Sequence, residues 1–224
     1  MTRFFRYIAF VLASMMVVPA YAEDTDYEDD FEDEAHFGIR AQLDFNRSVS
    51  VTDIVKWGPG ASVGIAYYAP FGRLTYFNAG LLFSYTTMRL NGQGGNKYSH
   101  YDIVGHIKMP SLRLPLDFGV KFIDNRRMRC SVYTGPHFYF NFDVKGDYDV
   151  VRTQSTTKVN EKITNSGMEI GWGLGVAVDL SRRWHAHFEG SVGLSHFGTT
   201  NEFTPGTPSA LRRGELSLGL GYNC

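Results

Sequence analysis

Gly167–Asp179 reads GMEIGWGLGVAVD. Met168, Ile170, Trp172, Leu174, Val176 and Val178 fall on every second position. Glu169, Gly171, Gly173, Gly175 and Ala177 fall between them. Successive side chains of a β-strand point to opposite faces, so a period of two marks a strand. One face of this strand is apolar from end to end. The other carries a carboxylate and three glycines. These glycines are not a dinucleotide fingerprint, which sits between a strand and a helix. Inside a strand they make room for larger side chains opposite.

Seven more segments repeat the pattern. They are His36–Asn46, Gly60–Tyr68, Tyr76–Met88, Leu112–Phe122, Arg129–Asp143, Trp184–Phe197 and Arg213–Asn223. Many have about ten residues, the length of a tilted strand that crosses a bilayer. The connections alternate in length. Asn46–Pro59, Arg89–Gly105, Lys145–Ser166 and Gly198–Arg212 are long, whereas Pro70–Arg73, Ile123–Met128 and Ser181–Arg183 are short. A soluble sandwich has no reason to sort its loops this way. An outer-membrane barrel does, with short periplasmic turns and long outer loops.

The two faces make the same case. One carries Leu, Val, Phe and Trp. The other carries Arg40, Gln42, Asp44, Arg113, Asp117, Lys121, Glu169, His187, Glu189 and Glu215. Lipid outside and a polar lumen inside give this alternation. The expected fold is all-β: an eight-stranded, antiparallel, up-and-down transmembrane barrel. Its lumen is only wide enough for side chains to fill, so a plug of paired charges is expected. Tyr67, Phe71, Tyr76, Phe122, Phe140, Phe142, Trp184, Phe197 and Tyr222 suit aromatic girdles. Pro115 and Pro136 lie inside strands, where bulges are the expected accommodation. Ile107 and Met109 are apolar at odd positions and Leu112–Phe122 at even ones, which places one bulge near Pro110 and Ser111.

Composition agrees. The 224 residues hold 24 Gly and 15% aromatics, with 22 basic against 23 acidic residues. Beyond the N-terminus no run nears the roughly 18 apolar residues of a membrane-spanning helix. Two cysteines, Cys130 and Cys224, are too few for a disulfide scaffold. Strands three apart should keep them from bonding within one chain.

The start of the chain is read as two further segments. Met1–Ala22 has Arg3 and Arg6, a short apolar run at Tyr7–Val18, Pro19 and the cleavage pattern Ala20-Tyr21-Ala22. This is a secretory signal peptide, cut after Ala22; a retained anchor is the alternative. Residues 23–35 then read EDTDYEDDFEDEA, with nine acids in thirteen positions. Such a block should form a flexible periplasmic tail. It could bind a cation or a basic partner, or rest on the barrel. Residues 36–224 form the barrel. They keep 20 of the 22 basic and 14 of the 23 acidic residues, a net charge of +6.

Leu112–Phe122 (LRLPLDFGVKF) and Tyr133–Tyr139 (YTGPHFY) resemble the PorT-like outer-membrane β-barrel family. Gly167–Val178, Glu189–His196 (EGSVGLSH) and Leu216–Tyr222 (LSLGLGY) fit the same family. The resemblance runs from about His36 to the C-terminus and implies a Gram-negative outer-membrane barrel. One member of that family is linked to protein secretion. Such barrels usually end on an aromatic, whereas this chain ends Tyr222-Asn223-Cys224.

Chemistry has few candidates. His185, His187 and Glu189 share a face and could chelate zinc. The alternative is a hydrogen-bonded network with Arg40, Arg113 or Lys121 across the lumen. Ser195 and His196 are adjacent, so they point to opposite faces and cannot pair. No catalytic, cofactor or metal residue is assigned, and no enzyme activity is expected. Lys145–Ser166 is polar and could rise as a hairpin above the membrane, for recognition or simply as a solvated loop. The expected role is a structural or interaction barrel. A transport or secretion accessory is the alternative, and a lipid-modifying enzyme a distant third. Expected partners are outer-membrane lipids and proteins of the envelope or secretion apparatus, and no nucleic acid.

Overall fold

The computed structural model describes residues 35–49, 55–71, 74–96, 99–125, 128–152, 155–162, 164–165, 167–181, 183–200 and 209–224. The segment read as a signal peptide, Met1–Ala22, and all of the segment read as an acidic tail except Ala35 lie outside these residues. The strands are β1 (His36–Ser48), β2 (Val55–Lys56), β3 (Gly58–Pro70), β4 (Thr75–Asn96), β5 (Ser99–Asn125), β6 (Met128–Asn141) and β7 (Lys145–Arg152). They continue as β8 (Ser155–Lys162), β9 (Thr164–Asn165), β10 (Met168–Asp179), β11 (Trp184–Gly193), β12 (Gly198–Thr200), β13 (Ser209–Leu211) and β14 (Arg213–Asn223).

Eight of them close a ring in the order β1-β3-β4-β5-β6-β10-β11-β14, with β14 returning to β1. Every neighbouring pair is antiparallel. Closure leaves no unpaired edge in the ring, which is what a hydrocarbon solvent requires of a backbone. The alternation is clean in β1. Arg40, Gln42 and Asp44 are buried inside, while Ile39, Leu43 and Phe45 are exposed outside. In β10 the outward Leu174 is 60% exposed, as a lipid-facing side chain must be.

The short connections and both ends of the described chain lie at one rim. There Cys224 N donates to Phe37 O at 2.8 Å, and Leu180 N donates to Trp184 O at 2.8 Å. By the usual sorting of turns this rim faces the periplasm.

The long connections are not mostly loop. β4 has 22 residues and β5 has 27, about twice the length needed to cross a bilayer. Their pairing continues unbroken in register out to Asn96↔Ser99. β2 adds to β4, and β7 adds to β5 with β8 beside it. Within Lys145–Ser166, β7 and β8 therefore do form a hairpin, up to Lys162. β9, β12 and β13 form a small separate sheet.

Several expectations need correction. No bulge falls at Pro110–Ser111. Ile103, Ile107, Met109, Ser111, Arg113, Asp117 and Lys121 are all buried on one odd-numbered face. What changes along this face is its chemistry. Pro115 and Pro136 also sit in unshifted registers, between Gly80 and His137 and opposite Trp172 respectively. The β4–β5 ladder skips the pairs beside Pro115, so a missing donor is absorbed without an inserted residue. The register shift on β5–β6 comes later, between Lys121 and Ile123. Tyr76 and Phe197 leave the girdle: Tyr76 turns inward to Ser131, and Phe197 is fully buried. Cys130, beside the register shift, is 7% exposed rather than lipid-facing. Both cysteines are free.

Candidate functional site: a two-tier lumen

The inward faces of the eight strands build one column of side chains. Its lower tier is charged. β11 supplies Glu189, which stands at the centre because three strands aim donors at it, two of them guanidiniums. Arg113 of β5 donates to Glu189 Oε1 through Nη2, and its Nη1 donates to Glu215 Oε1 of β14 at 2.6 Å. Arg40 of β1 reaches Glu189 Oε2 at 3.3 Å, and its Nε donates to His187 Nε2 at 2.9 Å. Tyr133 of β6 donates its hydroxyl to Glu189 Oε2 at 3.2 Å. Nearer the outer side, Arg213 of β14 donates to Glu169 Oε2 at 3.1 Å and to Asn141 Oδ1 at 2.9 Å. The guanidiniums of Arg113 and Arg213 lie 5.6 and 4.2 Å from the ring centroid of Tyr139. Ring faces attract cations, so Tyr139 joins the two ion-pair groups.

Asp44 is satisfied differently. Ser217 Oγ donates to it at 2.7 Å, Gln42 Nε2 at 2.8 Å, and Ser62 Oγ donates as well. Neutral donors from three residues thus hold this carboxylate. Asp117 meets His137 Nε2 at 3.0 Å. Buried charges persist only when paired or hydrogen-bonded, and each charged group named here finds at least one such partner, most from strands far apart in sequence.

Glycines of β10 decide how the large side chains fit. A methyl group at Gly173 would collide with the imidazole of His137, and one at Gly175 with the ring of Tyr133. On β14, Gly219 gives the same room to His187. The glycine alternation in Gly167–Asp179 is therefore the mould into which β6 packs its aromatic face.

The proposed zinc ligands are not brought together as a chelate. His187 turns to Arg40, and its ring lies 6.1 Å from that of His185. Of the basic groups expected across the lumen, Arg40 and Arg113 join Glu189, while Lys121 lies 5.9 Å over the ring of Tyr68. A second trio has metal-like spacing: ligand atoms of Asp117, His137 and Glu189 lie within 4.8 Å of one another. It does not fit a divalent cation, because Arg113 already supplies positive charge there. Its Nη2 bonds Glu189 Oε1 and lies 3.3 Å from His137 Nδ1. The Ser195 hydroxyl accepts the Ile170 amide at 2.8 Å, a strand-end contact.

The upper tier is apolar. Val55, Met88, Leu90, Ile103, Ile107, Met109, Val144, Tyr148, Phe197 and Leu211 form one buried cluster. They come from β2, β4, β5, β7, β13 and the segments after β6 and β11. This is an ordinary hydrophobic core, built at the outer end of the barrel from strand ends and from stretches read as loops.

Sequence reasoning missed His137, Tyr133, Tyr139 and Arg213. The three β6 residues share odd parity; Tyr133 and His137 lie opposite Gly175 and Gly171, and the Tyr139 ring lies beside Gly171. The glycine run announces bulky neighbours, but only the register says which strand carries them. The upper tier was missed because its inward residues look like outward ones of a shifted strand.

The family described as "Outer membrane protein beta-barrel domain" matches residues 22–198. No curated protein matches the chain. Among solved structures, Ail, the attachment invasion locus protein of Yersinia pestis, is 12% identical, with a TM-score of 0.41 over 85% of this chain and 99% of Ail. Neisserial surface protein A is 14% identical, with a TM-score of 0.41 and the same coverage. OprG from Pseudomonas aeruginosa is 10% identical, with a TM-score of 0.47 over 88% of this chain and 99% of OprG. Likenesses this distant carry no argument about role. The family match spans most of the chain and agrees with the closed ring and lipid-facing strands: the chain belongs to the outer membrane protein beta-barrel domain family and is an integral outer-membrane protein.

Proposed function

We propose that this protein is a sealed barrel with a structural or interaction role, whose working surface is the sheet raised outside the membrane. The observation that carries the reading is the two-tier interior. A charged plug centred on Glu189 fills the membrane section, and an apolar core fills the section above it. A path for ions would have to break both. The outer part, with β2, β7 and β8 flanking the β4–β5 hairpin, is ordered by its own core and so can present a fixed surface. Partners of such a surface are envelope or secretion proteins, with outer-membrane lipids around the barrel. No catalytic group is assigned. Export uses the Sec route, with cleavage after Ala22.

The test is planar-bilayer recording of the purified barrel, after heat-modifiable migration on a gel has certified its fold. The sealed reading expects no steady unitary conductance. Steady conductance in the unmodified barrel overturns it and favours the transport reading. That second reading has one observation on its side, a cavity of about 710 Å³ at the periplasmic end. The PorT-like motifs at Leu112–Phe122 and Tyr133–Tyr139 extend it to secretion; impaired secretion on deletion, with the barrel silent in bilayers, would support that extension.

A further inference from the structure

The interior widens at the periplasmic rim into the cavity of about 710 Å³, which all eight ring strands border. Arg40, Lys121, Arg129 and Arg183 line it, against Asp179 as the acidic side chain among its described lining residues. Arg40 forms the roof and is already held by Glu189 at 3.3 Å. His36 stands in the wall as the first residue of β1. The sequence directly before it, residues 23–34, carries nine carboxylates in twelve positions.

We propose that the acidic segment Glu23–Glu34 docks against this basic vestibule of its own barrel. Charge complementarity is the first argument. The net +6 of residues 36–224 and the nine acids before them are joined in one chain. The tether is the second. One residue, Ala35, separates the segment from His36 in the cavity wall. Twelve residues extended reach roughly 40 Å, ample to fold back through the rim. A short linker holds its ligand at millimolar effective concentration. Ion pairs too weak to recruit a free peptide therefore suffice here. Aromatic complementarity is the third. Tyr27 and Phe31 are the aromatics of the segment, and Tyr68, Tyr76 and Trp184 are in the wall. The inference stands apart from the sealed-barrel reading: a conducting barrel could hold the same segment.

The experiment uses the mature chain purified from outer membranes, with its N-terminus established by mass spectrometry. Nitroxides are placed at Thr25→Cys and at native Cys224, which lines the cavity and is exposed, in a Cys130→Ser background. Pulsed electron spin resonance then reads their separation. Docking predicts a narrow, short-distance population at low salt. It should broaden near 1 M salt, where screening reaches within about 3 Å. It should also broaden when the acids of residues 23–34 become amides, a change that leaves the barrel untouched, and in the Lys121→Gln/Arg129→Gln variant. A broad distribution indifferent to salt and to the amide variant overturns the proposal. So does a mature N-terminus beyond Glu34. Equal binding of inorganic polyphosphate by the full chain and by a chain starting at Ala35 also overturns it, and assigns the vestibule to an anion from outside.

Discussion

Two halves of the same strand differ in polarity without differing in parity. On β5 the inward residues Arg113, Asp117 and Lys121 are charged, and the outward residues Leu114, Leu116, Phe118, Val120 and Phe122 are apolar. Past Met109 the inward residues are Ile107 and Ile103, and the outward ones include Lys108, His106 and Asp102. β4 does the same beside it. Outward Leu81, Phe83 and Tyr85 give way to Thr87 and Arg89, while inward Ser84 and Thr86 give way to Met88 and Leu90. The two inversions are in register, Tyr85 lying opposite Pro110 and Thr87 opposite Lys108. An inside-out barrel becomes an ordinary protein at this level because the surrounding solvent changes from lipid to water. The inversion marks where the strands leave the membrane.

The largest expected break is in the lower tier. Glu189→Ala removes the carboxylate shared by Arg113, Arg40 and Tyr133 and leaves two buried guanidiniums short of a partner. Loss of one member of a buried pair costs about 3–5 kcal/mol. Urea unfolding in lipid vesicles should show that loss, and stability equal to wild type would refute the plug as a structural element.

In the upper tier, Ile107→Ala should cost about 2–5 kcal/mol, as for aliphatic truncation in any soluble core. The loss should be local. Hydrogen exchange should accelerate in residues 86–109 while the membrane section of β10 and β11 keeps its protection. Uniform acceleration around the ring would show that the tiers unfold together.

Leu174→Arg places a charge on the outward face within the membrane section. It should lower stability by about 2–4 kcal/mol near the midplane. Val104→Arg places the same charge on the outward face of β5 above the inversion. Val104 is also more than half exposed, but water surrounds it there. The expected change is within about 0.5 kcal/mol. The two variants, compared in one unfolding assay, locate the membrane boundary. Equal penalties would place β5 in lipid up to Val104 and refute the inversion.

The sequence by itself determined the barrel. Alternation in Gly167–Asp179 and its seven counterparts, with the sorting of long and short connections, requires lipid outside and polar groups inside. That requirement is local, strand by strand, so it can be read without a partner. The polar residues of the lumen face were likewise legible from parity. Their partners were not. Arg40 meets Glu189 from 149 positions away, and Arg113 meets Glu215 from 102. Cross-lumen contacts depend on the stagger between strands, which alternation leaves open. His137 and Tyr133 needed the β6–β10 register, which sets them opposite Gly171 and Gly175 and leans the His137 ring over Gly173. The outer core was hidden for another reason. Arg89–Gly105 and Lys145–Ser166 form strands outside the membrane, where the rule linking face to polarity is reversed. Only the tertiary structure decided where that reversal occurs, because the solvent on the outer side of a strand is set by how far the assembled barrel rises out of the bilayer.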